Sequence, residues 1–448
     1  MGVGANVRLT AASRRRDLRL ANVNAALWSA GVSLTSGSLI VYFALDLKAT
    51  GVSLGLIFAL PAMVGLLRLV SPLVIQRLGS KKLACVSLSL ASYLVLALLP
   101  GVALVGSGDP PRALKLMIAV LCIHQLLEYI GNVAFWSWMA DLVTRRIRGR
   151  YFARRQIIQL AVAIPTLLVG GAFADYWPKA HADTRLWGYA LPNGLGAAAL
   201  LVSLLPLWRM TDTGTGPSAR LGVSWRVLRA PFRDWRFGRL VLFGCWLAAA
   251  NGLTGAAQGA YPKQVLGLGI VSLQWMRITM RGGQMCVAGW AGPFSDRFGN
   301  RPMMILCQAV VASSMGFFLL ATPRHPLWLF GAFIAWSFYA GLNIGLPNLM
   351  LRLSPEGQQQ DNSGYISLYF ATSGACYAAS SVLGGWLFDL LKTEGSFWIG
   401  PYLVTHYQIL FAAGLFVRSL ALVWLLLLIE PGALTLADIA RRYKGRRN

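Results

Sequence analysis

Gly292-Pro-Phe-Ser-Asp296-Arg297-Phe-Gly299-Asn-Arg301 decides the fold. Apolar sequence of membrane length flanks it on both sides, so its charges occupy a very short link between two bilayer-crossing segments. Gly292 is expected to let two helices approach closely. Asp296 is expected to accept hydrogen bonds from the first amides of the following helix, whose positive end favours a carboxylate. Gly299 is expected to turn the chain at positive φ, and Arg297 and Arg301 to hold the turn on the cytoplasmic side.

Pro72-Leu-Val-Ile-Gln76-Arg77-Leu-Gly-Ser-Lys-Lys82 repeats the design about 220 residues earlier. Matching hinges half a chain apart predict an internal duplication, the usual build of a secondary transporter. Gly-x-x-x-Asp-Arg-x-Gly-x-Arg resembles the signature loop of the major facilitator superfamily, in its bacterial form. The second copy is a full match; in the first, Pro72 replaces the leading Gly and Gln76 the Asp.

Composition agrees with a membrane protein. The 448 residues are 56% hydrophobic and 13% charged. Apolar runs predict twelve spans, at about 23–45, 52–75, 83–105, 114–140, 152–174, 187–208, 240–262, 268–295, 303–322, 327–351, 363–388 and 404–429. The expected architecture is all-α, with two pseudo-symmetric six-helix bundles, 23–208 and 240–429. A cytoplasmic tail (1–22), a linker (209–239) and a basic tail (430–448) complete it. The net charge of +25 does not point to nucleic acid, because it is segregated. Of 41 Lys and Arg, 29 fall in the tails and alternate loops and eight in the opposite loops. That pattern places both termini in the cytoplasm of a multi-pass protein of the cytoplasmic, or inner, membrane. The six cysteines lie in apolar runs, with no Cys-x-x-Cys pair, and read as small core residues. No metal, cofactor or enzyme motif is expected: there is no phosphate-binding Gly-rich loop, and His124-x-x-x-Glu128 has no second histidine cluster beside it.

In the linker, Leu221, Trp225, Leu228, Phe232 and Trp235 recur at helical spacing among arginines. This predicts an amphipathic piece on anionic lipids of the inner leaflet. Gly170-Gly171…Asp175 is echoed by Gly384-Gly385…Asp389, at the ends of spans five and eleven. Asp141 and the arginines after it resemble the family's loop between spans four and five, which implies that Asp141 pairs with Arg77 and that the hinges form a cytoplasmic gate.

Ionisable groups at mid-span are costly and mark function. Glu128 shares one face of span four with His124 and Asn132. Both Glu128 and His124 are candidates to carry a proton, with a neutralised structural acid as the competing reading of Glu128. Span eight carries Gln274, Arg277, Arg281 and Gln284 as a stripe. Its arginines suit either an anionic solute or an ion pair with Glu128. Asn251, Thr254 and Gln258 form a polar stripe on span seven, a cavity helix if the resemblance holds. Arg418, mid-span on twelve, reads as structural or snorkelling, and Arg68 as part of the first hinge. The sequence therefore predicts a monomeric carrier of a small, anionic organic solute, coupled to protons and working by alternating access. Its rivals are a drug or lipid-like efflux carrier of the same fold and a transporter-shaped assembly factor.

Overall fold

The computed structural model describes residues 10–435 apart from 36, 66–73, 76, 144–147, 214–234, 354–361 and 400–401, together with 438 and 441. Arg68, Pro72, Gln76 and nearly all of the amphipathic linker piece lie outside the described residues.

Helix occupies all twelve expected places among the described residues. Span six is one helix, Trp187–Trp208; spans four, five, eight, nine, eleven and twelve are Pro110–Leu142, Arg148–Ala180, Ile270–Phe298, Asn300–Leu320, Asn362–Thr393 and His406–Leu427. Among the described residues, ten stretches are long and apolar enough to cross a bilayer. The other two places are span two, described over Gly51–Val64, and span eight, whose polar stripe lowers its hydropathy. Many large apolar side chains face outward, among them Val169 at 69% exposure and Leu205 at 60%. A surface of that kind is stable only against lipid or another apolar partner.

One expected boundary changes. The first helix starts at Ala11, capped by Thr10, so residues 11–22 extend span one rather than forming a tail. They are held because Asp17 is buried and accepts from the Thr211 amide at 3.2 Å. The fold is all-α as expected, with one short antiparallel hairpin, Phe397–Ile399 paired with Tyr402–Val404, in the loop before span twelve.

Spans one and seven are each broken at the same relative point. Span one is Ala11–Leu34 and Gly37–Asp46, with Thr35 at φ −101° and ψ 27°. Span seven is Trp235–Leu253 and Gly255–Gln264, with Thr254 at φ −98° and ψ −1°. In both, a threonine stands at the break beside a glycine-containing stretch.

The chain divides into two compact units, residues 1–222 with 269–274, and residues 223–268 with 275–448. Within the first unit, span six packs on span one where Gly196 lies against Gly31. A Cβ on Gly196 would fall 2.8 Å from the Gly31 carbonyl oxygen, and one on Gly31 would fall 2.5 Å from Leu200 Cγ. Phe43 stacks on Tyr189 farther along the same contact, with centroids 5.9 Å apart. The second unit is centred on Phe237, Phe243, Met303, Met304 and Leu425. There Gly414 of span twelve packs against Thr254, and Tyr261 meets Tyr407 at 5.0 Å. The contact of spans one and six thus recurs between spans seven and twelve.

Candidate functional site

In the first unit the polar centre is Glu128. Span four starts at Asp109, whose carboxylate accepts from the Arg112 amide at 3.0 Å, and at Pro110 and Pro111, whose fixed φ suits a first turn. Gly131 then brings span three against it; a Cβ there would lie 2.9 Å from Ser89 Oγ. The Tyr93 hydroxyl donates to Glu128 Oε1 at 3.4 Å, and Trp28 of span one is within hydrogen-bonding reach of the carboxylate. Glu128 Oε2 is buried without a partner. His124 belongs to a different contact. Its Nδ1 lies 2.7 Å from Ser92 Oγ, and that hydroxyl is 2.9 Å from the His124 carbonyl oxygen. His124 therefore links spans three and four through Ser92. Asn132, one turn beyond Glu128, is half-buried.

The span-eight stripe is divided. Gln274 is fully buried, with both amide atoms unpartnered. Arg277, Arg281 and Gln284 follow, the arginines exposed and Gln284 half-buried. Arg281 Nη1 donates to Gln284 Oε1 at 3.3 Å. Near the start of this helix the Asp175 carboxylate accepts from the amides of Ile270 and Val271 at 2.8 and 3.0 Å, satisfying two otherwise bare donors.

The break in span seven holds the second polar centre. Tyr339 donates to Asn251 Oδ1 at 2.8 Å. Gln258 Nε2 donates to Thr254 Oγ1. Into this group comes Arg418, which is 2% exposed rather than snorkelling. Its Nη1 donates to Ser314 Oγ at 3.1 Å and its Nη2 to Thr254 Oγ1 at 3.4 Å. The phenols of Tyr339 and Tyr377 are close enough to interact with it electrostatically. The sequence did give its position, in mid-span. The inward direction comes from Gly414, one turn away, which lets span twelve close onto the break. Keeping an arginine at mid-membrane depth costs about 2.5–3.5 kcal/mol even on lenient scales, so its retention needs a reason.

The hinges differ from expectation in their partners. Gly299 has the expected positive φ, 102°, but Asp296 is exposed and does not cap span nine. Glu430 does so from beyond span twelve: its carboxylate accepts from the Asn300 amide at 3.2 Å, the Asn300 side chain at 2.8 Å and the Arg301 amide at 2.7 Å. Asp296 precedes the turn and points to solvent, whereas residue 430 lies against the new helix start. Residue 430 is accordingly not part of a free tail. Arg301 returns the contact, donating to the last carbonyls of span twelve at Leu425 and Leu426, at 3.2 and 2.6 Å. Arg297 lies over the Phe298 ring at 5.1 Å. Gly292 makes no close approach, since a Cβ there would meet nothing within 4 Å. In the first hinge Asp141 pairs with Lys81 at 2.7 Å and accepts from Thr213 at 3.0 Å; Arg77 is exposed. Gly79 (φ 72°) turns the chain between the two, leaving Lys81 on the side of span four. Asp212, just after span six, accepts from Ser80 at 2.6 Å, and Lys82 donates to the Met210 carbonyl at 2.8 Å.

Each half thus closes a short basic hinge with an acid that follows its sixth helix. The Major Facilitator Superfamily profile matches residues 22–375. The chain belongs to the major facilitator superfamily. It is accordingly a multi-pass secondary transporter of a small solute, not an enzyme. No curated protein sequence matches it. Among solved structures it is similar to the nucleoside transporter NupG, at 14% identity, TM-score 0.66, 93% of this chain and 98% of that one. A bacterial homologue of the iron transporter ferroportin in its inward-facing state gives 14%, 0.66, 92% and 98%. A bacterial metal transporter gives 15%, 0.62, 94% and 99%. At these identities the likeness is one of fold, which the superfamily member shares over nearly its whole length.

Proposed function

We propose that this superfamily member is a proton-coupled carrier of a small organic anion, acting by alternating access in the cytoplasmic membrane with both termini inside. The observation that carries the reading is Glu128 Oε2, buried and without a hydrogen-bond partner, while Oε1 accepts from the Tyr93 phenol at 3.4 Å. A carboxylate so placed is stable when protonated and costly when charged, so it is suited to taking up and releasing one proton per cycle. Arg277 and Arg281 supply fixed positive charge for the solute, because a guanidinium does not lose its proton in the working range. Asn251 and Gln258 orient the solute's polar groups. The hinge contacts, Lys81–Asp141 and Glu430 on span nine, hold the cytoplasmic ends of the helices, and the basic loops meet anionic lipid.

The test uses purified protein in liposomes loaded with a pH-sensitive dye and presented with a panel of small carboxylates. The wild-type protein should move protons with the solute. Glu128→Gln should retain solute exchange but lose its dependence on an imposed pH gradient. Gradient-driven uptake persisting in that variant would remove Glu128 from coupling. Arg281→Ala should reduce uptake of the anionic members of the panel at least tenfold, while neutral analogues are unaffected.

A further inference from the structure

We infer that the break in span seven is a binding site for a monovalent anion, anchored by Arg418. This does not rest on the Glu128 reading. The guanidinium lies in the middle of span twelve, and its Nε is buried without an acceptor. The two donors it does satisfy go to neutral hydroxyls, Ser314 and Thr254, both wholly buried. Those hydroxyls are fixed as acceptors. Ser314 Oγ spends its own proton on the Val311 carbonyl at 2.7 Å and also receives the Trp336 indole at 2.9 Å. Thr254 Oγ1 spends its proton on the Ala250 carbonyl at 3.3 Å. Neutral oxygens satisfy N–H groups but do not cancel a charge.

No acid among the described residues of this unit is placed to cancel it. Asp296, Glu430 and Asp438 belong to one end of the spans, and Asp389 and Glu394 to the other. None of the ion pairs among the described residues includes Arg418. The helix ends offer little more. At the break, the carbonyl end of Trp235–Leu253 meets the amide end of Gly255–Gln264, and their partial charges offset one another.

The first unit supplies a control within the molecule. Its span six makes the same close approach to its broken helix through Gly196, and one turn later it carries Leu200, 1% exposed. The architecture is therefore complete with an apolar side chain at that place, and the arginine is an addition to it. The anchor of the site is Arg418, held in place by Thr254 and Ser314. Its half-buried rim is Asn251, Gln258, Tyr339 and Tyr377; the Asn251 amide N–H groups face an incoming anion as donors, with Tyr339 holding Asn251 Oδ1. A single fixed charge selects one negative charge, either a free halide or the carboxylate of a solute.

The experiment follows thermal unfolding of the purified full chain in detergent. Sodium chloride and bromide form one titration series, sodium formate and acetate a second, and sodium sulfate at matched ionic strength is the reference. The wild-type protein should show a saturable rise above the sulfate reference of about 3 °C or more at a hundredfold excess over half-saturation. A rise with the halides alone identifies a free ion as the occupant, and a rise with the carboxylates identifies a solute group; either supports the site. Arg418→Leu should abolish the rise. Arg418→Lys should raise the half-saturating concentration about tenfold, because the charge is kept and the planar fork is lost. Ser314→Ala should weaken it several-fold. Glu128→Gln should leave the rise intact, which separates failure of this site from failure of the coupling reading. The inference is overturned if neither series exceeds sulfate, or if Arg418→Leu responds as wild type does. Should the leucine variant not fold, unchanged half-saturation in both Arg418→Lys and Ser314→Ala would overturn it equally.

Discussion

The two broken helices make the most informative comparison in the molecule. At the break in span one, Gly196 admits span six, and Leu200 fills the space beside Gly31. At the break in span seven, Gly414 admits span twelve, and a fully buried Arg418 reaches Thr254 and Ser314. The backbone solution is shared and the chemistry is not. What the duplication preserves is the pair of glycines, the threonine at the break and the acid after the sixth helix. Where the copies part, one keeps a hydrocarbon contact and the other a charge. Function is therefore to be sought where the copies diverge within a common frame, and packing where they agree.

The sharpest way to break the comparison is to exchange its terms. Leu200→Arg should prevent accumulation of folded protein. It would bury a guanidinium beside Gly31, where the Leu200 side chain now packs, at a cost of several kcal/mol. Yield of monodisperse protein on size exclusion is the readout, and wild-type yield would show the two sites to be interchangeable. Next in size is Gly384→Ala. A Cβ there would collide with the Leu253 carbonyl at the break itself, and the expected loss is about 2–3 kcal/mol, read from unfolding in detergent. Gly292→Ala, in open space, is its matched control and should change nothing.

Smaller effects test the hinges. Glu430→Gln should cost about 1–2 kcal/mol, since it leaves two backbone amides and the Asn300 side chain without a charged acceptor. Asp296→Asn should fall within about 0.5 kcal/mol, because that carboxylate is exposed. An equal loss in the two would restore the expected role of Asp296. Smallest is Lys81→Ala, which should cost less than about 1 kcal/mol because its bridge to Asp141 is partly solvated, while Arg77→Ala should cost nothing measurable.

The frame was legible because membrane burial imposes length, apolarity and charge segregation directly on the sequence. The places of all twelve spans and the positive φ at Gly299 follow from those constraints and from glycine's freedom. Partners across long sequence separation were not legible. Nothing in Gly292–Arg301 indicates that an acid 130 residues away caps the next helix. Local spacing favoured Asp296 for that role, and the family resemblance implied Arg77, where Lys81 stands, as the partner of Asp141. His124 was grouped with Glu128 because one helix face suggests one function, yet Ser92 of a neighbouring helix claims it at 2.7 Å. Arg418 read as structural or snorkelling because its helix is usually peripheral in the family. The glycine that turns it inward could have been noticed, since Gly414 precedes it by one turn as Gly196 precedes Leu200.

Glu430 also bears on how the protein is handled. Leu434 donates its amide to the Phe298 carbonyl at 3.0 Å, and Ala433 lies against Gly299. The polypeptide after span twelve is consequently a fastening that reaches back to the middle of the chain. A purification tag grafted at residue 428, or a protease nick there, would uncap span nine from a distance, whereas an extension appended after residue 448 leaves the fastening whole.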